Sequence, residues 1–395
     1  MTAQVLRFAL CIAAMTTPSQ DRDRLSPTNL LEFHQTDGAV ELVETEADWK
    51  LRRAEIVQGM HTIMGQLPGS ERRVPLDVHQ IEEADCGTYV RRLITYQTEP
   101  DSRVTAYLCI PKDIIGGKGT AAAVLCLHPT DSKYGHQVVV GLNGKTGRQY
   151  AAELSERGYV TLSPSYPLMA DYWPNLALLG YESGTMKAIW DNVRGLDLLE
   201  SMPEVNAEAG FGVIGHSLGG HNAIFTAVLD QRISVVVSSC GFDSFSDYYE
   251  GQIENWFYGK GWCQARYMPQ LSDFREDLTR IPFDFHELLG ALAPRPVFIN
   301  APLHDTNFRW QSVDSCITAA KPIYKLLGAE ENLWVEHPDS GHSFPKPMRQ
   351  KAYERIDSVL HENCQAANSD EDGFGTKSTK RPSSHEPRAA PRKVH

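Results

Sequence analysis

The sequence lacks several features that would assign it to common classes of protein. Its 395 residues include eight cysteines, but no CxxC pair and no Cys/His cluster at zinc-finger spacing, which argues against a structural zinc site. Lys and Arg total 38 against 50 Asp and Glu, a net charge of −12, so the chain has no overall basic character of the kind that nucleic-acid binding requires. We therefore expect no nucleic-acid partner.

Two motifs that bind phosphate or metal are also incomplete. The segment GLNGKT would need a glycine five residues before Gly144 to form a phosphate-binding loop, but Val139 stands at that position. His286-Glu287 begins an H-E-x-x-H pattern but Gly290 stands in place of the second histidine. We therefore expect neither a metal nor a cofactor.

The N-terminus has only a weak export signal. Its apolar stretch from Phe8 to Met15 is not followed by a clear A-x-A cleavage site, and it is far shorter than the roughly 20 residues that span a bilayer. No N-x-S/T sequon occurs, and Cys109, Cys126 and Cys240 lie in apolar runs, as thiols of a reducing compartment do. We expect a cytoplasmic protein without a membrane partner, with export through the weak signal as the alternative.

The composition predicts one large folded domain with extensions. Hydrophobic residues make up 42% and charged residues 22%, enough for a sizeable core. We interpret residues 1–20 as a signal-like or disordered segment and residues 21–87 as an extension with a helix at 48–67. Residues 88–364 form the predicted catalytic domain, and residues 365–395, which are rich in Ser, Pro, Lys and Arg, a disordered tail.

The pattern of apolar residues predicts an α/β-hydrolase fold. Two strands joined by a turn, YVRRLITYQ and VTAYLCIP, indicate an antiparallel pair near the start of the domain. Continuous apolar strands then alternate with amphipathic helices up to a last helix near 346–361, which indicates a mostly parallel, twisted sheet with helices on both faces.

The motif with the most specific chemistry is Gly215-His216-Ser217-Leu218-Gly219, a G-x-S-x-G between a predicted strand and a predicted helix. This context is that of a nucleophile elbow, in which glycines leave room for a tight turn that exposes the serine hydroxyl. A small-residue turn without catalysis is the alternative. We predict that Ser217 is the nucleophile.

A serine hydroxyl needs a neutral imidazole as base and a carboxylate that orients the imidazole. Asp305 follows the strand PVFINAP and His342 follows the strand LWVEHP, so both lie at carboxyl ends of strands, where open α/β sheets bind ligands. The chain order Ser, Asp, His is that of the α/β-hydrolases. We predict Asp305 as the acid and His342 as the base.

Several other residues compete for these roles. An acid on the preceding strand is known in some hydrolases, and a turn or cap role would equally explain Asp305. The competing acids are Asp243 and Asp339, and the competing histidines are His216, His304 and His337.

The oxyanion of the tetrahedral intermediate needs preorganised N–H donors. Leu218 supplies one at the start of its helix. The second is expected from the loop His128-Pro129-Thr130, where proline has no N–H, so we predict Thr130, whose hydroxyl is a further donor. An ordinary strand-ending turn is the alternative for this loop.

Two aromatic-rich segments are predicted to line the substrate pocket. The first carries Tyr172 and Trp173, and the second begins an insertion at 242–285 with Phe242, Tyr248 and Trp256. The alternative for the insertion is an accessory helical segment whose aromatic residues are core.

The stretch from about Tyr89 to Leu360 resembles the α/β-hydrolases of the branch that contains acetyl xylan esterases, dienelactone-hydrolase-like proteins and the catalytic domains of prolyl-oligopeptidase-type peptidases. The similar pieces are GHSLGG, APLHDTNF and SGHSFP. The chain departs from this pattern at Ser217, where dienelactone hydrolases have cysteine, and in the loop His-Pro-Thr, where other hydrolases have His-Gly.

The resemblance implies hydrolysis of a carboxylic ester through an acyl-Ser217 intermediate. The expected substrate is a small-molecule or carbohydrate ester, including short-acyl and acetylated sugars. A peptidase or acyl-aminoacyl hydrolase with the same three residues is one alternative, and a non-catalytic binding protein is another. The sequence does not indicate an oligomeric state.

Overall fold

The computed structural model describes residues 23–372, with side chains to residue 361. A nine-stranded mixed sheet forms its centre, in the spatial order β11-β10-β9-β8-β6-β7-β5-β4-β3, and a separate hairpin pairs β1 with β2. The strands are β1 Glu32–His34, β2 Val40–Leu42, β3 His79–Asp85, β4 Tyr89–Glu99, β5 Ser102–Pro111, β6 Ala123–Leu127, β7 Val160–Pro164, β8 Phe211–His216, β9 Ile233–Ser239, β10 Val297–Asn300 and β11 Leu333–Glu336.

Helices cover both faces of this sheet. The helices α2 and α7 pack on one face, and α3, α4, α5 and α6 contribute to the core on the other, together with α1. The helices are α1 Glu46–Met64, α2 Tyr150–Glu156, α3 Gly184–Glu200, α4 Leu218–Leu229, α5 Phe285–Leu292, α6 Trp310–Leu326 and α7 Lys346–Asp372. The predicted α/β-hydrolase fold is confirmed.

The sheet follows from the sequence because its central strands are apolar along their whole length. Every residue of β6, β7, β8 and β10 is buried, as expected for parallel strands covered on both faces. From β7 across to β11 all neighbouring strands are parallel, whereas β5 pairs antiparallel with both β7 and β4. The carboxyl ends of the parallel strands therefore meet at one edge.

The antiparallel part of the sheet is larger than predicted. The expected pair is β4 and β5, but β3 adds a third antiparallel strand at the edge of the sheet. β3 is almost entirely exposed, so it has no apolar alternation by which to be recognised. β3 spans residues 79–85. The last part of the predicted N-terminal extension, residues 21–87, therefore forms a strand of the main sheet.

The rest of the extension is attached to α5. Arg24 and Arg52 both form ion pairs with Glu287, whose side chain is fully buried. Two guanidinium groups satisfy this carboxylate, which would be costly to bury alone. The extension is thus packed against the catalytic part of the chain.

The C-terminal helix is longer than predicted. α7 continues to Asp372 and so extends into the segment predicted as a disordered tail from residue 365, where Gln, Ala and Glu allow the helix to continue. Residues 373–395 and the predicted signal-like segment 1–20 lie outside the described residues. The domain boundaries themselves remain predictions.

The structure bears on two further expectations. Among residues 23–372, no helix is long and apolar enough to cross a membrane. The six cysteines whose side chains are described, 86, 109, 126, 240, 263 and 316, are free thiols. The predicted cellular compartment remains a prediction.

Candidate active site

Ser217 lies at the turn between β8 and α4 in a strained conformation, with φ 55° and ψ −123°. Its amide donates to Ser239 O at 2.7 Å, which anchors the turn to β9. The flanking glycines are required by close contacts: a Cβ on Gly215 would lie 2.1 Å from Gly219 C and O, and one on Gly219 would lie 2.0 Å from Leu127 O. The motif therefore forms the predicted elbow, which presents the serine hydroxyl above the sheet.

The structure brings Ser217, His342 and Asp305 together at the carboxyl edge of the sheet. These three residues are called the relay. The Ser217 hydroxyl donates to Nε2 of His342 over 2.9 Å. Nδ1 of His342 donates to both oxygens of Asp305, at 3.0 and 2.9 Å. This network assigns the proton to Nδ1 and leaves Nε2 as the acceptor. The arrangement can deprotonate the serine hydroxyl when it attacks a carbonyl carbon.

Asp305 is held as a carboxylate. Its side chain is 1% exposed, and although burial opposes its ionisation, hydrogen bonds from His342 and from the amides of Asn307 and Phe308 keep its pKa below the usual range. A carboxylate that is ionised at neutral pH fixes the tautomer of His342 and stabilises the imidazolium that forms during attack.

The competing acids are placed elsewhere. Asp243 accepts from the amide of Arg309 at 3.2 Å and has no hydrogen bond to His342. Burial raises its pKa to about 8, so it is largely protonated at neutral pH. Asp339 is exposed and hydrogen-bonded to His304. Of the three acids, only Asp305 orients the imidazole.

The competing histidines have other partners. His304 pairs with Asp339 at the surface, and His337 lies between Ala301 O and Asp314. His216 is buried and contacts Ser239 Oγ through Nδ1, and its ring lies 4.9 Å from that of His342. His216 therefore packs against the imidazole of the relay but takes no part in the proton path.

The loop that carries His342 is fixed by its backbone carbonyls. Arg148 donates to His342 O at 3.2 Å, Asn300 donates to Ser343 O at 3.0 Å, and Arg349 donates to Phe344 O at 2.7 Å. Three consecutive carbonyl groups thus have side-chain donors from three different elements. This explains how a loop residue keeps its position relative to Ser217.

The two predicted oxyanion donors lie beside the elbow. The Leu218 amide is in the first turn of α4, whose N–H groups have no intrahelical acceptor. Thr130 is exposed on the loop after β6, and its hydroxyl lies 3.2 Å from that of Tyr267. The contact of Gly219 with Leu127 O brings this loop against the elbow. Their role in oxyanion binding remains a prediction.

The first pair of predicted pocket residues is not brought to the serine. Tyr172 and Trp173 line a separate cavity of about 560 Å³ with Arg72, Glu99 and Arg103, and no residue of the Ser-His-Asp relay lines it. Tyr172 is buried and donates to Asp191 at 2.9 Å. The structure thus corrects the prediction that these two side chains form a wall around Ser217.

Two residues of the aromatic insertion belong to the core. Phe242 is 1% exposed and stacks on Phe285, and Trp256 is fully buried against Phe245. Neither side chain is accessible to a substrate, so the alternative of core packing holds for both. Tyr248 is half-buried, and its ring lies 6.0 Å from that of Phe308.

Three largely buried aromatic side chains lie beside His342: Phe308, Trp262 and Tyr267. Trp262 and Tyr267 belong to the insertion that was predicted to line the pocket but were not among the residues selected from it. The ring of Phe308 lies 6.0 Å from that of His342, and Trp262 stacks on Phe308 at 6.0 Å. Tyr267 follows, in contact with Trp262 and with Thr130. Trp262 and Tyr267 were visible in the aromatic density of the insertion, whereas no sequence signal set Phe308 apart.

One cluster of possible metal ligands exists within the described residues. Ligand atoms of Cys240, Asp305 and His342 lie within 4.8 Å of one another. Asp305 and His342 hydrogen-bond each other directly, and burial raises the pKa of the Cys240 thiol well above its usual value, which disfavours the thiolate that metals prefer. The cluster is therefore the relay itself with a neutral thiol beside it. The expectation of a metal-free enzyme remains a prediction.

The fold and this arrangement define the class: the chain is a carboxylic ester hydrolase with an α/β-hydrolase fold. The family model described as "Glucuronyl esterase, fungi" matches residues 177–328, a segment that contains Ser217 and Asp305.

Similar proteins and structures agree with this class. The chain is 25% identical to 4-O-methyl-glucuronoyl methylesterase 1 of Wolfiporia cocos (strain MD-104), over 91% of this chain and 86% of the relative. It is 24% identical to YtaP of Bacillus subtilis (strain 168), named only as a hydrolase, over 76% of this chain and 97% of the relative. A solved glucuronoyl esterase from Solibacter usitatus superposes with a TM-score of 0.67 at 16% identity, covering 86% of this chain and 99% of that one.

Proposed function

We propose that this chain is a serine esterase that hydrolyses carbohydrate esters, and that its substrate is an ester of glucuronic acid such as the methyl ester of 4-O-methyl-glucuronic acid. The observation that carries the proposal is the hydrogen-bonded relay of Ser217, His342 and Asp305. The substrate is suggested by the similarity to 4-O-methyl-glucuronoyl methylesterase 1 of Wolfiporia cocos, which aligns over 91% of this chain.

The reaction proceeds through two displacements. Ser217 Oγ attacks the carbonyl carbon while Nε2 of His342 takes its proton, and the oxyanion that forms is held by the amides of Leu218 and Thr130. The alcohol leaves with the proton of the imidazolium, and an acyl-Ser217 ester remains. Water then attacks the acyl-enzyme by the same route and releases the acid.

We place the sugar ring beside three aromatic side chains near His342 that are largely buried, with 5–8% of each exposed. Trp262, Tyr267 and Phe308 form a continuous set of ring contacts that ends at His342. Aromatic faces pack against the C–H faces of sugars, and the hydroxyl groups of Tyr267 and Thr130 supply hydrogen-bonding partners at the same place.

The proposal is tested by comparing turnover of three compounds by the same protein. The compounds are methyl 4-O-methyl-glucuronate, an acetylated xylose and a short peptide p-nitroanilide. We expect kcat/KM to be highest for the glucuronate ester, with activity lost in Ser217→Ala. Higher kcat/KM for the acetylated sugar would move the substrate to acetyl esters, and higher kcat/KM for the anilide would support the peptidase alternative.

A further inference from the structure

A cavity of about 590 Å³ adjoins the catalytic histidine on the side of α2 and α7. His342 lines it, together with the loop before α2 and the first turn of α7. The cavity is far larger than a single ion needs and falls within the range of small-ligand sites. Its lining is unusual in charge, because four of its side chains are cationic and one is acidic: Lys145, Arg148, Lys346 and Arg349 against Glu153.

The single acid is already satisfied. Arg349 donates to both oxygens of Glu153 at 2.8 Å, and Gln149 and Tyr353 donate to the same carboxylate. These bonds hold the pKa of Glu153 below its usual range despite partial burial. Glu153 therefore pairs with Arg349 and also interacts with the charge of Lys346, and the cationic side chains along the cavity still outnumber the acidic one.

Arg148 is the most informative of these cations. It is 7% exposed, and among residues 23–361 no carboxylate lies within ion-pairing distance of it. Its one described hydrogen bond goes to His342 O, although a guanidinium carries five N–H donors. Arg148 forms no direct ion pair, although the charge of Asp305 acts on it, and it lines the cavity. An anionic ligand would satisfy it.

The backbone around the cavity favours the same kind of ligand. Gly147 has φ +84°, and a Cβ there would lie 3.2 Å from Nη1 of Arg349, so glycine lets the loop before α2 approach the guanidinium that donates to Glu153 and Phe344 O. α7 begins at Lys346, and the positive end of its dipole adds to the charge of the side chains.

We propose that this cavity binds the carboxylate of a uronic acid. The planar guanidinium of Arg148 matches a carboxylate, the volume accommodates the sugar ring, and the contact with His342 connects the ligand to the relay. This inference rests on the proposed function. The same carboxylate chemistry arises from two sources, the acid product of hydrolysis or an acidic sugar that flanks the ester.

The test uses inhibition of p-nitrophenyl acetate hydrolysis by glucuronate, with glucose as the uncharged probe and ionic strength held constant. The site variant is Lys145→Gln/Lys346→Gln, which changes two exposed lysines and avoids the buried Arg148. The matched control is Lys118→Gln/Lys321→Gln, which removes the same charge from exposed positions elsewhere. We expect glucuronate but not glucose to inhibit, and its inhibition constant to rise about fivefold to tenfold in the site variant only.

The kinetic pattern separates the two sources. Competitive inhibition of acetate hydrolysis by glucuronate would mean that the cavity binds the acid product. Non-competitive inhibition would mean that it binds an acidic sugar flanking the ester. Equal inhibition by glucose, or the same inhibition constant in all three proteins, would overturn the proposal.

The proposed function can fail independently of this inference. The acetate assay requires no uronate ester. A protein that does not hydrolyse methyl 4-O-methyl-glucuronate can therefore still show, through inhibition of acetate hydrolysis, whether glucuronate binds. Calorimetric titration of Ser217→Ala with glucuronate, repeated on that background with each lysine pair, gives the same comparison without turnover. Absence of glucuronate binding there would also contradict the anion site.

Discussion

Asp243→Asn is expected to stabilise the protein at neutral pH and to leave catalysis nearly intact. Asp243 is 1% exposed, one of its oxygens has no hydrogen-bond partner among the described residues, and burial raises its pKa to about 8, with repulsion from Asp247 and Asp284 adding to the effect. In the unfolded chain an aspartate has a pKa of about 3.9. The folded protein therefore binds the proton more tightly than the unfolded chain does.

This difference fixes the sign of the pH dependence. A carboxyl group whose folded pKa is raised costs no stability below about pH 4, and the cost grows as pH rises to about 8. Each pH unit in this window corresponds to about 1.4 kcal/mol, so the cost approaches about 4 kcal/mol at pH 7 as an upper limit. Asparagine stays neutral throughout and retains an oxygen that can accept from Arg309 N.

The assay is urea unfolding of wild type, Asp243→Asn and the exposed control Asp113→Asn at pH 5, 6 and 7.5. The advantage of Asp243→Asn over wild type should increase with pH by about 1 kcal/mol per unit, whereas Asp113→Asn should show no such trend. An advantage that is independent of pH would refute the reasoning. A loss of kcat by orders of magnitude in Asp243→Asn would transfer the role of the acid from Asp305 to Asp243.

Three further predictions follow from the site and its surroundings. Asp305→Asn should lower kcat by about 10³- to 10⁴-fold with little change in melting temperature, because His342 loses its orienting carboxylate; a decrease below tenfold would speak against this relay. Gly219→Ala should abolish labelling by a fluorophosphonate, because the new Cβ would lie 2.0 Å from Leu127 O, and normal labelling of a folded variant would contradict the assigned elbow. Trp256→Ala should cost about 3–5 kcal/mol of unfolding free energy in urea and leave KM within about threefold, since Trp256 is fully buried; a large rise in KM at unchanged stability would return it to the substrate pocket.

The residues of the relay could be predicted because each one follows an apolar strand of a parallel sheet. Ser217, Asp305 and His342 come after β8, β10 and β11. The carboxyl ends of such strands meet at one edge of the sheet regardless of the conformations of the connecting loops. The sequence favoured Asp305 as the acid but left Asp243 open as a competitor. The distinction depends on which carboxylate reaches Nδ1 of His342, a matter of a few ångströms in loop geometry.

The elements that were missed had weak or local signals. β3 is a polar, exposed edge strand, and α5 has only eight residues, although the capping box of Asp284 and Glu287 at its start was readable. The pocket residues were predicted from aromatic density, which does not separate a packed side chain such as Trp256 from an accessible one. That separation arises only when the insertion packs against α5.

The most direct test of the central claim is mass spectrometry of the protein after reaction with a fluorophosphonate, in parallel with ester turnover. The account predicts one covalent adduct on the peptide that contains Ser217, loss of turnover in proportion to labelling, and neither labelling nor turnover in Ser217→Ala. An adduct on another residue, or a Ser217→Ala protein that still hydrolyses the ester, would contradict it.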